Sequence, residues 1–314
     1  MKTIIPLLLS SVLFFSNSAS AREKNGFNLD NSTISADQIF SGGPPRDGIP
    51  SIDKPKFLSA KKATYLKPND RVIGIEVDGE ARAYPIRILN WHEIVNDKIN
   101  GQAIAVTFCP LCGSGVVYSA EIDGKAYQFG VSGLLYNSDV LLYDRQTKSL
   151  WSQILSKGIS GKMVDQALDV IDSSHTSWQS WKAQYPDTKV LSKETGFSRD
   201  YNRSPYAGYT SNENIFFPLA FRSKKYHPKE RVLGITINGM QKVYPFSELA
   251  KALEGSSESI ITDSFEGETL SLNVDVENRD GNITNSNDET ITSLNTFWFS
   301  WYAFHPETAI FKAP

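Results

Sequence analysis

Residues Asn69–Leu89 read NDRVIGIEVDGEARAYPIRIL, and residues Lys229–Leu249 read KERVLGITINGMQKVYPFSEL. The two stretches agree at Arg71/Arg231, Val72/Val232, Gly74/Gly234, Ile75/Ile235, Gly79/Gly239, Tyr84/Tyr244, Pro85/Pro245 and Leu89/Leu249. In each, an alternating apolar–polar run meets a turn signal, Asp78-Gly79 or Asn238-Gly239, and a second short run follows, which is the pattern of a β-hairpin. The proline then ends the strand, and the residues after it predict a helix.

A second agreement lies downstream of each copy. Thr176–Leu191, TSWQSWKAQYPDTKVL, parallels Thr296–Phe311, TFWFSWYAFHPETAIF, through Thr176/Thr296, Trp178/Trp298, Trp181/Trp301, Pro186/Pro306 and Thr188/Thr308. Tryptophans three apart share a helical face, and the proline that follows stops the helix. Both agreements occur in the same order, which predicts two related modules within residues 69–191 and 229–314. The expected fold class is α+β, mostly antiparallel strands with short helices, arising from an internal duplication.

Residues 1–21, MKTIIPLLLSSVLFFSNSASA, carry one lysine, a short apolar run and an Ala-Ser-Ala ending, the pattern of a secretory signal cleaved near Ala21. The run is too short to span a membrane, and no later segment offers about 18 uninterrupted apolar residues. The mature chain is therefore expected to be periplasmic or secreted, without an integral membrane segment. Loss of the signal leaves 31 basic against 35 acidic residues, a balance that lacks the electrostatic footprint of nucleic-acid binding. Residues 22–68, with GGPPRDGIP at 42–50, predict a turn-rich arm lying over the domain, with regular structure beginning near Arg71. Residues 192–228 predict a long connecting strap.

The first module is longer than the second by a middle segment. Thr262–Val274 resembles Asn96–Phe108, yet the CPLCGS that follows Phe108 has no counterpart after Val274. Beyond it, Gly115–Ile122 and Lys125–Val131 flank the turn signal Asp123-Gly124, and Asp139–Tyr143 and Leu150-Trp151 read as further strands. Cys109 and Cys112 are the only cysteines of the 314 residues. Pro110 biases Cys109 to extended backbone and Gly113 permits a tight turn, so the two sulfurs come together. Such a turn suits a metal knuckle or a reversible disulfide.

His92, in NWHEIVND, is the best third ligand; Cys109, Cys112 and His92 would form an open site for a soft metal, copper or zinc. Its counterpart in the second module is Ala252. Redox chemistry at the pair is an alternative, although the glycine-rich, β-patterned sequence after Cys112 does not suit a thioredoxin-type helix. A structural disulfide is a third reading, by default in an oxidising compartment. Near the cysteines, Ser114, Tyr136, Ser138, Asp144, Arg145, Trp151 and Gln153 form a polar and aromatic series expected to line a pocket. Asp139 or Asp144 is expected to orient a ligand or take a proton, and Asp139 joins the two cysteines as a candidate catalytic residue.

The strings FCPLCGSGVVY, FGVSGLLYNSDVLLYDR and SLWSQ, with WHEIVND upstream and DYNRSPYAGY downstream, resemble the DUF 3179 family of uncharacterised prokaryotic proteins. The resemblance covers roughly Arg71 to His305. It implies that CPLCGS and YNSDVLLYDR are hallmark segments, and it implies no activity. The expected function is thus an exported protein that binds copper or zinc, for metal handling or metal-dependent chemistry. Its partner would be an unknown small molecule or a metal donor or acceptor protein. A thiol–disulfide oxidoreductase and a non-enzymatic binding module are the alternatives.

Overall fold

A computed structural model describes residues 22–256 and 259–314; the expected signal segment lies outside them. Among the described residues, five sheets of four or five strands form a five-bladed β-propeller arrangement, with four short α-helices. The strands are mostly antiparallel, as the alternation predicts. The predicted turns are hairpin turns with both central residues at positive φ: Asp78-Gly79 at 48° and 83°, Asn238-Gly239 at 52° and 79°, Asp123-Gly124 at 50° and 70°. That backbone twist matches the strand twist.

The two copies of the motif build sheets of the same order. In the first, Ser174–Ser177, Arg71–Val77, Glu80–Pro85 and Lys189–Leu191 lie side by side; in the second, Ser293–Phe297, Arg231–Ile237, Met240–Pro245 and Ala309–Ile310 do. The last strand of each runs parallel to its neighbour, so a crossover is required. Helices α2 (Trp178–Gln184) and α4 (Trp298–Phe304) supply it, while α1 (Ile86–His92) and α3 (Phe246–Ala252) follow the two hairpins.

The matching spacing of the two stretches has a packing cause. The Trp181 ring lies on Gly74 and the Trp301 ring on Gly234, where an added Cβ would sit 2.3 Å and 2.2 Å from the indoles. Each indole Nε1 donates to a threonine hydroxyl, Thr188 or Thr308, at 3.0 Å. A flat aromatic group can approach the sheet that closely only where the side chain is absent.

The middle segment does more than decorate the first module. Ile94–Ile99, Gln102–Cys109, Ser114–Ser119 and Val170–Ile171 form one sheet; Phe129–Tyr136, Asp139–Asp144, Leu150–Ser152 and Lys157–Ser160 form most of another. The arm completes sheet edges: Ile39–Ser41 pairs with Phe129–Tyr136, and Phe57–Ser59 with Lys189–Leu191. Regular structure therefore begins well before Arg71. Strands of two or three residues carry too little alternation to be read from sequence. The strap contains no strand or helix.

Candidate functional site

Strand Gln102–Cys109 is buried along its last six residues and delivers Cys109 into the interior. The chain then turns through Pro110–Gly113. The amide of Cys112 donates to the Sγ of Cys109 at 3.4 Å. Gly113 has φ 63°, and an added Cβ would meet the Phe297 ring at 2.7 Å, so both its conformation and its neighbours require glycine.

The second module fastens this turn from outside. Arg231 donates to the carbonyl oxygen of Gly113, and the Phe297 amide and Thr296 hydroxyl donate to that of Cys112 at 2.9 and 3.0 Å. The tie is reciprocal, because Arg71 donates to the carbonyl oxygen of Asn278 in the second module. Neither arginine makes an ion pair with a carboxylate among the described residues. Backbone carbonyls are their main partners.

Facing the turn is Asp139, which opens strand Asp139–Asp144 after a tight Asn137-Ser138 turn. Both turn residues have positive φ, 52° and 66°, without a glycine between them. Asn137 holds the turn by donating to the Ala303 carbonyl of α4 at 3.0 Å and accepting from the Ala220 amide of the strap at 2.8 Å. The Ser138 carbonyl oxygen consequently points at the sulfurs, accepting from Cys112 at 3.4 Å and Cys109 at 3.7 Å.

Cys109 Sγ, Cys112 Sγ and an Asp139 carboxylate oxygen lie within 4.8 Å of one another, and all three residues are buried. Asp139 Oδ2 accepts from the Ile154 amide at 3.0 Å, while Oδ1 accepts no conventional hydrogen bond among the described residues. Burial raises the Asp139 carboxyl to about 7, and burial, together with Cys109 and Asp139, pushes the Cys112 thiol well above its usual range. Burial therefore disfavours charge on Asp139 and Cys112, and a bound cation would favour it. The two cysteines are free thiols.

His92 is placed elsewhere. Its Nδ1 meets the Pro50 carbonyl oxygen and its Nε2 the Tyr201 hydroxyl, both at 2.7 Å. The carbonyl fixes Nδ1 as the protonated nitrogen, so both nitrogens are engaged. The triad of donors is completed by Asp139 in place of His92. The ring is held by the arm and the strap, while Glu93, at φ 57°, ends α1 immediately after it.

The remaining predicted residues divide between site and scaffold. Ser138 touches the sulfurs. Ser114, buried at the end of the turn, donates to Gln153 Oε1 at 2.6 Å, and Gln153 donates to the Thr107 hydroxyl at 2.8 Å. These side chains brace the turn by satisfying one another. Asp144 accepts from Thr147 and from Trp151 Nε1, which closes a surface turn over the buried Trp151. Arg145 pairs with Asp53 and Asp47 of the arm, and Tyr136 packs edge-on against Phe304.

Several groups went unnoticed in the sequence. Glu93 is buried, its carboxyl raised to about 8 by burial, with Tyr206 of the strap at 3.5 Å. Tyr209 and Ser300 are buried close to the cysteines: the two sulfurs raise the Tyr209 hydroxyl beyond what burial alone does, and the Ser300 hydroxyl lies near enough to the Cys112 thiol to lower it. Ser300 aligns with Ser180, so comparing the modules could not mark it. The Tyr-rich composition of the strap was the available signal for Tyr206 and Tyr209. A wider cleft of about 1180 Å³ lies between the sheets, walled by Trp181, Trp301 and Asp280 among others, but none of the three donors reaches it.

No curated protein and no solved structure matches this chain. The model of a family described as a protein of unknown function, DUF3179, matches residues 46–308, and the chain belongs to that family.

Proposed function

We propose that Cys109, Cys112 and Asp139 bind a transition metal ion, zinc before copper. The observation that supports this is the gathering of three acidic donors in a buried site, where Asp139 makes no ion pair among the described residues. Two thiolates and a carboxylate suit zinc, whereas copper(I) favours the two sulfurs and would leave the carboxylate idle. Around a tetrahedral zinc such donors stand about 3.5–3.8 Å apart, so contraction of about an ångström suffices. Three protein ligands leave one position open, as a catalytic rather than a purely structural site requires.

The reading fits an exported, periplasmic protein, because a metal would protect a dithiol that an oxidising compartment otherwise closes to a disulfide. It also fits an origin of the two sheets by duplication, with one copy retaining a structural turn and the other acquiring ligands. Cobalt(II) titration of the reduced protein tests it. Intense thiolate-to-metal absorption saturating at one equivalent is expected, and its absence would reject the site.

Thiol–disulfide exchange is the second reading. It draws on the free dithiol beside a carboxyl that titrates near neutrality, since such a group can take the proton of an attacking thiol. A redox potential well below about −300 mV would instead indicate a structural disulfide.

A further inference from the structure

A cavity of about 210 Å³ is lined not by the three donors themselves but by their neighbours in the chain. Leu111, which stands between the two cysteines, and Val140, which follows Asp139, are part of its wall. Val131 and Leu135 of the bulged strand Phe129–Tyr136 extend that wall, with Phe216 and Phe217 of the strap nearby. Only Glu93 and Tyr206 bring polar side chains to it. Glu93 ends α1 in left-handed backbone, a conformation that costs an ordinary side chain about 1–3 kcal/mol. Neither a cation nor an ion pair compensates its carboxyl among the described residues. A lone carboxyl in an apolar wall is held neutral, and a neutral carboxyl is a hydrogen-bond donor.

We propose that this cavity is the substrate pocket of the Cys109/Cys112/Asp139 centre. It takes a neutral, mainly apolar molecule the size of one substituted ring, whose oxygen accepts a hydrogen bond from Glu93. The proposal rests on the metal-binding reading for its link to the centre, but not for the pocket itself. The size follows from volume: an apolar cavity of about 150 Å³ is enough for benzene. The charge follows from the wall, because an apolar lining with one neutral carboxyl and one hydroxyl offers no compensation for the lost hydration of an anion or a cation. The polarity follows from the one uncommitted donor, since the Tyr206 hydroxyl donates to Glu93, and that donor selects a carbonyl, ether or hydroxyl oxygen over a hydrocarbon.

Four ring compounds of matched size separate these requirements: cyclohexanone, cyclohexanecarboxylate, cyclohexylammonium and methylcyclohexane, titrated against the full protein by ligand-observed NMR at pH 6.5. Cyclohexanone should bind about tenfold or more tightly than each of the others, the discrimination of one buried hydrogen bond. Glu93→Gln, which keeps a donor, should retain that affinity within about threefold, and Glu93→Leu should lose about tenfold. Val131→Phe and Leu135→Phe, which fill the cavity, should abolish binding. Equal or tighter binding of either charged ring to the wild type overturns the proposal without relying on any variant. The link to the centre has its own readout: cyclohexanone should shift the cobalt absorption bands of the loaded protein, and unshifted bands with the ketone bound would reject it. If no metal binds at all but the metal-free Cys109→Ser/Cys112→Ser protein still takes cyclohexanone, the metal reading fails and the pocket stands.

Discussion

The amide of Cys112 is held 3.4 Å from the sulfur of Cys109, and the second module repeats the arrangement, with the Asn278 amide 2.9 Å from Oδ1 of Asp275. Gly113 and Arg279 close these turns with similar backbone, φ 63° and 50°. The fold therefore specifies the turn, and residue type specifies its chemistry. Where Asp275 caps a structural turn, Cys109 does the same and keeps a sulfur free for a further partner.

Asp139→Asn should weaken zinc binding by about 100-fold or more, since outer-shell partners alone are worth about 10–100-fold. The asparagine oxygen still accepts from Ile154, so the fold should survive. Chelator competition measures the affinity. Unaltered affinity would remove Asp139 from the ligand set.

The metal-free protein should lose stability as pH rises. Asp139 moves from 3.8 in the unfolded chain to about 7, and Glu93 from 4.5 to about 8. Folded acids with raised values bind more protons than the unfolded chain, so stability is fullest at low pH and falls between about pH 4 and 8. The loss is on the order of a few kcal/mol. Urea unfolding at pH 5 and pH 8.5 should show it in the wild type and much less in an Asp139→Asn/Glu93→Gln double variant; parallel profiles would contradict the assignment.

His92→Gln should leave metal stoichiometry unchanged while lowering stability by about 1–3 kcal/mol, the cost of disturbing two buried hydrogen bonds. Metal content measured beside thermal unfolding separates the two roles. Loss of metal without loss of stability would restore His92 as a ligand.

Gly234→Ala places a methyl group 2.2 Å from the Trp301 ring and should cost about 1–3 kcal/mol through overpacking. Gly239→Ala, in an open hairpin turn at φ 79°, meets only backbone strain of about 1 kcal/mol. Denaturant midpoints should rank the two in that order.

The paired sheets were legible because Trp181 and Trp301 need Gly74 and Gly234 beneath them, and that coupling spans more than sixty residues in the second module and a hundred in the first. The hairpin turns were legible from Asp-Gly and Asn-Gly. The propeller was not: the number of blades depends on how sheets meet edge to face, which leaves no period in one chain. At the site, CPLC announced itself, and Asp139 stood out beside Asn137 and Ser138. His92 drew attention by type and neighbourhood, but contacts that no sequence pattern shows hold its ring on Pro50 and Tyr201. Glu93 and Ser300 were silent, since a buried acid and a buried hydroxyl look like surface residues until their burial is known.

Native mass spectrometry of the anaerobically reduced protein, exposed to one equivalent of zinc and then to an equimolar chelator, tests the central claim most directly. One zinc ion per chain is predicted to remain on the wild type and to be lost from Cys109→Ser, Cys112→Ser and Asp139→Asn. Retention of the ion by all three variants, or its absence from the wild type, would contradict the account.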